Sequence, residues 1–178
     1  MKSLLPVLVV PALILLIPLL AMVFKADGWA WNAGSFVIAW VLMAGVGLAY
    51  KLVTRRNAGG LYRAATAVGL GTGFLLLWVN GAVGLIGSED NPANLLYGGV
   101  LVLGAIGAVF ARLEPAGMAA ALVVVALAQF AVPLIALLFW PGDFRPGVTQ
   151  VIVLNFCFVL LFLGSALLFR QAGRRQRV

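Results

Sequence analysis

The sequence predicts an all-α fold, a polytopic transmembrane bundle of six helices with both termini on the cytoplasmic side. Hydrophobic residues make up 64% of the 178 positions and charged residues only 10%, whereas soluble domains hold roughly 45–50% and about 25%. Six apolar runs have close to the ~20 residues that a helix needs to cross a hydrocarbon core of about 30 Å. The predicted spans, within a single transmembrane domain covering 1–178, are residues 4–24, 35–53, 64–87, 95–111, 117–140 and 149–169.

The first run, residues 4–24, contains Pro6, Pro11 and Pro18. Its position is that of a signal peptide, but it is longer than the roughly 7–15 residues of an apolar signal region. Its end also has no small-x-small cleavage motif. A retained helix is therefore the favoured interpretation.

The basic residues predict the orientation of the helices, because cytoplasmic connections of membrane proteins are enriched in Lys and Arg. With the N-terminus inside, ten of the 12 Lys and Arg residues lie on the cytoplasmic side. These ten are Lys2, Lys51, Arg55, Arg56, Arg63, Arg112, Arg170, Arg174, Arg175 and Arg177, whereas Lys25 and Arg145 lie outside. The expected location is the bacterial inner (plasma) membrane.

Two of the predicted helices end on a similar phrase. Residues 18–24 read PLLAMVF and residues 133–139 read PLIALLF, with four of the seven positions identical. Each phrase precedes an outer connection, so the hairpins 4–53 and 117–169 would form a parallel repeat about an axis along the membrane normal. The alternative is a chance likeness between helices built from few residue types.

Small residues follow one face of the third span and one face of the fourth. Gly69 and Gly73 are four residues apart, and Gly104 and Ala108 repeat that spacing. Such faces allow helix backbones to approach closely. Because the connections are short, consecutive helices are expected to be antiparallel neighbours, and the third and fourth are expected to form a close hairpin at the centre of the bundle.

The connection between these two spans combines glycine, carboxylates and an asparagine. Gly87 is predicted to end the third helix, and Asn91, which precedes a proline, is predicted to cap the next one. The adjacent carboxylates of Glu89 and Asp90 leave two interpretations, a divalent cation held by oxygen ligands or a solvated turn with a helix cap. The cap is favoured, and no metal site is predicted.

Three amides fall inside the predicted spans. Asn80 and Asn155 lie at matched depths, each about 9–10 Å from the outer end of its helix, and Gln129 lies near the middle of the fifth span. An unpaired amide is costly in hydrocarbon, so these side chains should face inward. They are interpreted as interhelical contacts, with Asn80 and Asn155 bonded to each other. The alternative is an outward-facing polar pocket for a small solute or a lipid headgroup.

The side chains needed for common membrane-enzyme chemistry are few in this sequence. It has no His and a single Cys, so it lacks the imidazole required for haem ligation, Ser-His proteolysis and the usual zinc sites. All carboxylates fall in predicted connections or at helix ends, which disfavours an embedded aspartate pair or a proton relay. We therefore expect no enzymatic activity and no cofactor.

Residues 78–94, WVNGAVGLIGSEDNPAN, resemble a segment typical of a family of small bacterial multi-pass membrane proteins. Residues 18–21, 111–117 and 162–170 are similar to further parts of that family. The resemblance covers most of the chain and implies a multi-pass membrane fold. It carries no activity and no catalytic residue, because the family has none assigned.

The net charge of +7 is attributed to topology rather than to nucleic-acid binding, because the basic residues lie at helix ends. The expected partners are the bilayer, anionic lipids at the C-terminal arginines, and either a membrane-protein partner or a second copy. The favoured function is a non-catalytic accessory or assembly protein that acts through helix packing. The alternative is a small transporter or channel with a polar pocket at Asn80, Asn155 and Gln129.

The predicted topology can be tested with fusions of a reporter that is active only outside the cytoplasm. We expect fusions at Gly59 and Val178 to be silent and fusions at Asp90 and Asp143 to be active, because the basic residues hold the first pair of sites inside. Reporter activity at Val178 would contradict the six-span arrangement.

Overall fold

The computed structural model describes residues 4–25, 31–55, 59–144 and 147–175, and these residues are almost entirely helical. The α-helices are α1 (Leu5–Ile14), α2 (Leu16–Val23), α3 (Ala33–Thr54), α4 (Gly60–Val83), α5 (Leu95–Phe110), α6 (Pro115–Phe139) and α7 (Val148–Arg175). Two short 3-10 helices lie at Pro92–Asn94 and Pro141–Asp143. Four residues used for the predicted orientation, Lys2, Arg56, Arg145 and Arg177, lie outside the described ranges.

Six stretches of these helices are long and apolar enough to cross a membrane, which confirms the predicted all-α, six-helix class. They correspond to α1 with α2, α3, α4, the 3-10 turn with α5, α6, and α7. The third predicted span is displaced, since α4 ends at Val83 rather than at position 87. The last is longer than predicted, because α7 continues through polar residues to Arg175.

The first span is interrupted between α1 and α2, at Leu15. The cause is Pro18, which has no N–H to donate to the carbonyl of Ile14 and whose ring clashes with that carbonyl. The helix α1 ends at this residue, Ile14. The matching proline of the similar phrase, Pro133, lies inside α6 without a comparable interruption.

The chain divides into two compact units, Met1–Leu52 and Val53–Val178, each described here by itself. In the first unit, α3 packs against α1. The Trp40 Nε1 atom donates a hydrogen bond to the Leu8 carbonyl at 3.1 Å. A Cβ added to Gly47 would lie 3.3 Å from Cγ1 of Val7. The absence of a side chain at Gly47 thus allows the two helices to approach closely.

In the second unit, α7 packs extensively against both α6 and α4, and α5 packs against α6. The contact between α4 and α5 is slight, so the predicted close hairpin of the third and fourth spans is wrong. Residues 84–94, which connect these helices, do not form a tight turn. At Gly69 the neighbour of α4 is α7, whereas α5 approaches α4 only at Gly73 among the two glycines.

The predicted small-residue positions contact three different neighbours. A Cβ on Gly69 would lie 2.9 Å from Oγ of Ser165 in α7, and one on Gly73 would lie 3.3 Å from Cδ2 of Leu101 in α5. A Cβ on Gly104 would lie 3.5 Å from Cγ2 of Val125 in α6. Ala108 packs beside a core cluster near the start of α6. These residues therefore serve several interfaces within the unit rather than a single one.

The two ends of the second unit differ in chemistry. The Asn94 end, defined by connections 84–94 and 140–144, carries the carboxylates of Glu89, Asp90 and Asp143. The Arg112 end, defined by the turn 111–114, the start of α4 and the end of α7, carries Glu114 together with five arginines, Arg63, Arg112, Arg170, Arg174 and Arg175. Basic and acidic side chains are thus concentrated at opposite ends.

A tyrosine stabilises the turn at the Arg112 end. Arg112 and Leu113 adopt φ values of 50° and 61°, a left-handed conformation that costs energy for residues other than glycine. The Tyr62 hydroxyl donates to the Leu113 carbonyl at 2.6 Å. The Tyr62 ring also meets Phe169 edge to face at 5.0 Å. This contact brings α4, the turn and α7 together.

The close approach of α4 and α7 can be tested by substituting two glycines of α4. Gly69→Ala should destabilise the protein by about 1–3 kcal/mol, the usual cost of overpacking, because Ser165 is held in place by donating to the Ala65 carbonyl at 2.8 Å. Gly71→Ala is the matched control, since a Cβ there meets no atom within 4 Å. Thermal unfolding in detergent measures both.

Adding Ser165→Ala to Gly69→Ala removes the clashing hydroxyl and should recover part of the lost stability. Equal melting temperatures for Gly69→Ala and Gly71→Ala would contradict the close approach of α4 and α7.

Candidate functional site

The connection 84–94 is organised by the side chain of Asn94, which is 4% exposed. Its Oδ1 atom accepts hydrogen bonds from the backbone N–H groups of Leu85 and Ile86, at 3.2 and 3.0 Å. Its Nδ2 atom donates to the carbonyls of Ile86 and Ser88, at 3.2 and 2.6 Å. One amide therefore replaces the helical hydrogen bonds that the chain loses after α4 ends.

Glycine is required at two positions of this connection. Gly84 caps α4 with φ 69°, and a Cβ there would collide with the backbone of Ser88. The sequence had placed the helix end at Gly87, and that assignment is wrong. Gly87 has φ 74° and instead lets the neighbouring connection approach, since its Cβ would lie 2.8 Å from the carbonyl oxygen of Asp143.

The predicted cap at Asn91 is confirmed. Its Oδ1 atom accepts a hydrogen bond from Ala93 N at 2.9 Å, and Pro92 occupies the first helical position. Its Nδ2 atom donates to Oδ2 of Asp143 at 3.0 Å, which joins the two connections of the Asn94 end. Glu89 and Asp90 are exposed. Within the described part of the chain, no group of three or more His, Cys, Asp or Glu residues is placed to hold a metal ion.

The second polar site, here called the buried amide cluster, consists of Tyr97, Gln129 and Asn155. These side chains are 1%, 0% and 2% exposed. Oδ1 of Asn155 accepts hydrogen bonds from the Tyr97 hydroxyl at 3.0 Å and from Nε2 of Gln129 at 2.9 Å. Nδ2 of Asn155 donates to the Val151 carbonyl at 2.8 Å. The cluster therefore joins α5, α6 and α7.

Asn80 lies apart from this cluster. Its side chain is half-buried, and Nδ2 donates to the backbone carbonyl of Asn94 at 3.2 Å. The expected bond between Asn80 and Asn155 is wrong, because the hydrogen-bond partners of the Asn155 side chain are Tyr97, Gln129 and Val151. Equal depth along two helices does not make residues neighbours when the helix faces differ.

Two buried side-chain oxygens accept no hydrogen bond from the residues that the structure describes. They are Oδ1 of Asn80 and Oε1 of Gln129. A buried acceptor without a donor costs about 1–3 kcal/mol. Gln129 also lies four residues before Pro133, which cannot donate the usual helical hydrogen bond to the Gln129 carbonyl. The polar groups of Gln129 are thus the least satisfied part of the cluster.

Sequence reasoning missed two residues of these sites, Asn94 and Tyr97. Asn94 lies three residues after the predicted cap and directly before the predicted span 95–111, so it was an amide at a helix start that could have been recognised. Tyr97 lies close to the start of α5 and contributes a hydroxyl near the Asn94 end. Its partnership with Asn155 gave no signal in the sequence, because the two residues are far apart in the chain.

No family model, curated protein or solved structure matches this chain. The resemblance of residues 78–94 to a bacterial membrane family therefore stays a prediction. The six membrane-length apolar helices found among the described residues define a multi-pass membrane protein. Its sites are assigned from their geometry.

A double-mutant cycle tests the buried amide cluster. Gln129→Leu and Asn155→Leu should show a coupling free energy of about 0.6–2 kcal/mol, the range for interhelical polar contacts in membranes. The reference cycle, Asn80→Leu with Asn155→Leu, should show a coupling within about 0.5 kcal/mol of zero, as expected for residues without shared partners. Unfolding in mixed detergent measures both, and the reverse ranking would contradict the cluster.

Proposed function

We propose that the chain is a non-catalytic accessory or assembly protein of the bacterial inner membrane that acts through helix packing, with both termini in the cytoplasm. The observation that carries this proposal is the use of its buried polar side chains. Asn155, Gln129 and Tyr97 bond to one another, and Asn94 bonds to the backbone of its own connection. The bonds of the first three residues join helices, and those of Asn94 shape the connection between α4 and α5, which supports a packing role.

The distribution of buried surface supports the same proposal. The apolar windows of α6 and α7 are 33% and 39% buried, whereas those of the first span and α3 are 11% and 6% buried. In lipid a helix can leave its apolar surface exposed without cost, so packing between helices depends on van der Waals contact and a few polar bonds. The first unit therefore offers apolar helix surface to the transmembrane helices of a partner.

The second candidate is a small transporter or channel, and it is favoured by the unpartnered oxygens of Gln129 and Asn80. A hydroxyl or ammonium group of a solute would find an acceptor at either atom. The placement of these residues weighs against this candidate, because Asn80 bonds at the connection 84–94 and Gln129 bonds inside the cluster. The three amides do not converge on one pocket.

Thiol labelling distinguishes a dry cluster from a hydrated pathway. Ala126 is 1% exposed and lies one turn before Gln129, so Ala126→Cys reports on the cluster without removing an amide. In a chain that also carries Cys157→Ser, we expect this thiol to resist a water-soluble maleimide in intact membranes and to react after denaturation. Glu89→Cys, at an exposed residue, is the reactive control.

Photo-crosslinking supplies the positive arm of this test. A crosslinking side chain at Val41, which is 54% exposed in α3, should give a discrete adduct with another membrane protein or a second copy in native membranes. The same side chain at Leu127, 64% exposed in α6, is the matched control. Labelling of Ala126→Cys that a small solute blocks, together with no adduct at Val41, would replace the accessory function with transport.

A further inference from the structure

A groove of about 630 Å³ lies between α6 and α7 at the Arg112 end. Its α6 side is formed by the first turns of that helix, including Ala116, Ala119 and Ala120, and its α7 side includes Leu167, Arg170 and Arg174. Ala119 and Ala120 follow Ala116 by three and four residues, so the three alanines lie on one helix face. Their short side chains leave room for an apolar chain between the two helices.

The groove is maintained by a close contact at its end. A Cβ added to Gly173 would lie 3.3 Å from Cβ of Pro115, so the last turn of α7 already packs on the first turn of α6. The lining continues from Ala116 to Val123 on α6. The seven helical steps from Ala116 to Val123 extend about 10 Å, which gives the groove a long apolar wall beneath its charged rim.

Two guanidinium groups form that rim. Arg170 and Arg174 are one turn apart on α7, and both are exposed. No acidic residue is among the residues that line the groove. Within the described ranges, neither arginine has a hydrogen-bond or ion-pair partner. Two uncompensated positive charges therefore stand at one end of an apolar channel.

We infer that this groove binds one anionic phospholipid, with its phosphate on Arg170 and Arg174 and an acyl chain along the alanine face of α6. The guanidinium fork matches phosphate oxygens through charge-assisted, bidentate hydrogen bonds. Anionic headgroups are attracted to basic residues at the membrane surface, and the apolar wall lies on the hydrocarbon side of these arginines. A lipid satisfies both halves of the groove, whereas inorganic phosphate would engage only the arginines. This site is independent of the proposed accessory function.

Native mass spectrometry of the full chain in detergent tests the charged half of the site. Titration with phosphatidylglycerol should show one tightly retained lipid, and phosphatidylcholine with the same acyl chains should bind more weakly. The double variant Arg170→Gln with Arg174→Gln should lower the affinity for the first phosphatidylglycerol roughly thirtyfold, the factor expected from the loss of two surface charge contacts. The control variant Arg55→Gln with Arg63→Gln removes the same amount of charge outside the groove lining. It should change the phosphatidylglycerol affinity by less than about threefold.

Ala120→Phe tests the apolar half, because it fills the groove while keeping both arginines. It should reduce the affinity for phosphatidylglycerol about tenfold or more, whereas Ala105→Phe, at an exposed alanine of α5, should leave the affinity unchanged. Excess inorganic phosphate should not displace the lipid. Equal retention of both lipids, displacement by phosphate, or loss in the arginine variant without loss in Ala120→Phe would each overturn the site.

Discussion

Oδ1 of Asn155 accepts hydrogen bonds from both Tyr97 and Gln129, and this single atom joins three helices of the second unit. In hydrocarbon there is no water to replace a lost partner, so a buried polar group that finds no bond within the protein is costly. The requirement fixes the rotation of α5, α6 and α7 about their axes. Apolar side chains alone would allow many rotations, because lipid and protein surfaces are similarly apolar.

The remaining helix of this unit, α4, is held by a different kind of contact. Gly69 leaves space for Ser165, whose hydroxyl donates to the carbonyl of Ala65 one turn away. Close backbone approach and a single polar bond thus replace the amide cluster at this interface. Near the start of α4, Tyr62 adds a second polar contact by donating a hydrogen bond to the carbonyl of Leu113. The residues of α7 take part in both kinds of interface.

The number and approximate position of the spans could be predicted because length and apolarity are local properties of the sequence. The end of α4 could not, since Gly84 and Gly87 are both reasonable stops, and the choice depends on how Asn94 bonds to Leu85 and Ile86. The depth of a residue along its predicted helix could also be predicted, because each helical residue adds about 1.5 Å. The direction in which Asn80 points around the axis of α4 could not be predicted, because it depends on which helix is the neighbour. Assuming that consecutive helices pack together gave the wrong partner for Gly69, and equal depth gave the wrong partner for Asn80.

The position of α7 after α4 and α6 in the chain has a consequence for biogenesis. Ribosomes deliver helices in order, and α4 and α6 are both made before the helix that provides most of their contacts. Until α7 enters the membrane, Gln129 lacks Asn155 and the Gly69 face lacks Ser165. The nascent chain therefore exposes an amide and a glycine face to lipid or to the insertion machinery. Both interfaces therefore form only after α7 is made, and a chain cut short before α7 cannot form either one.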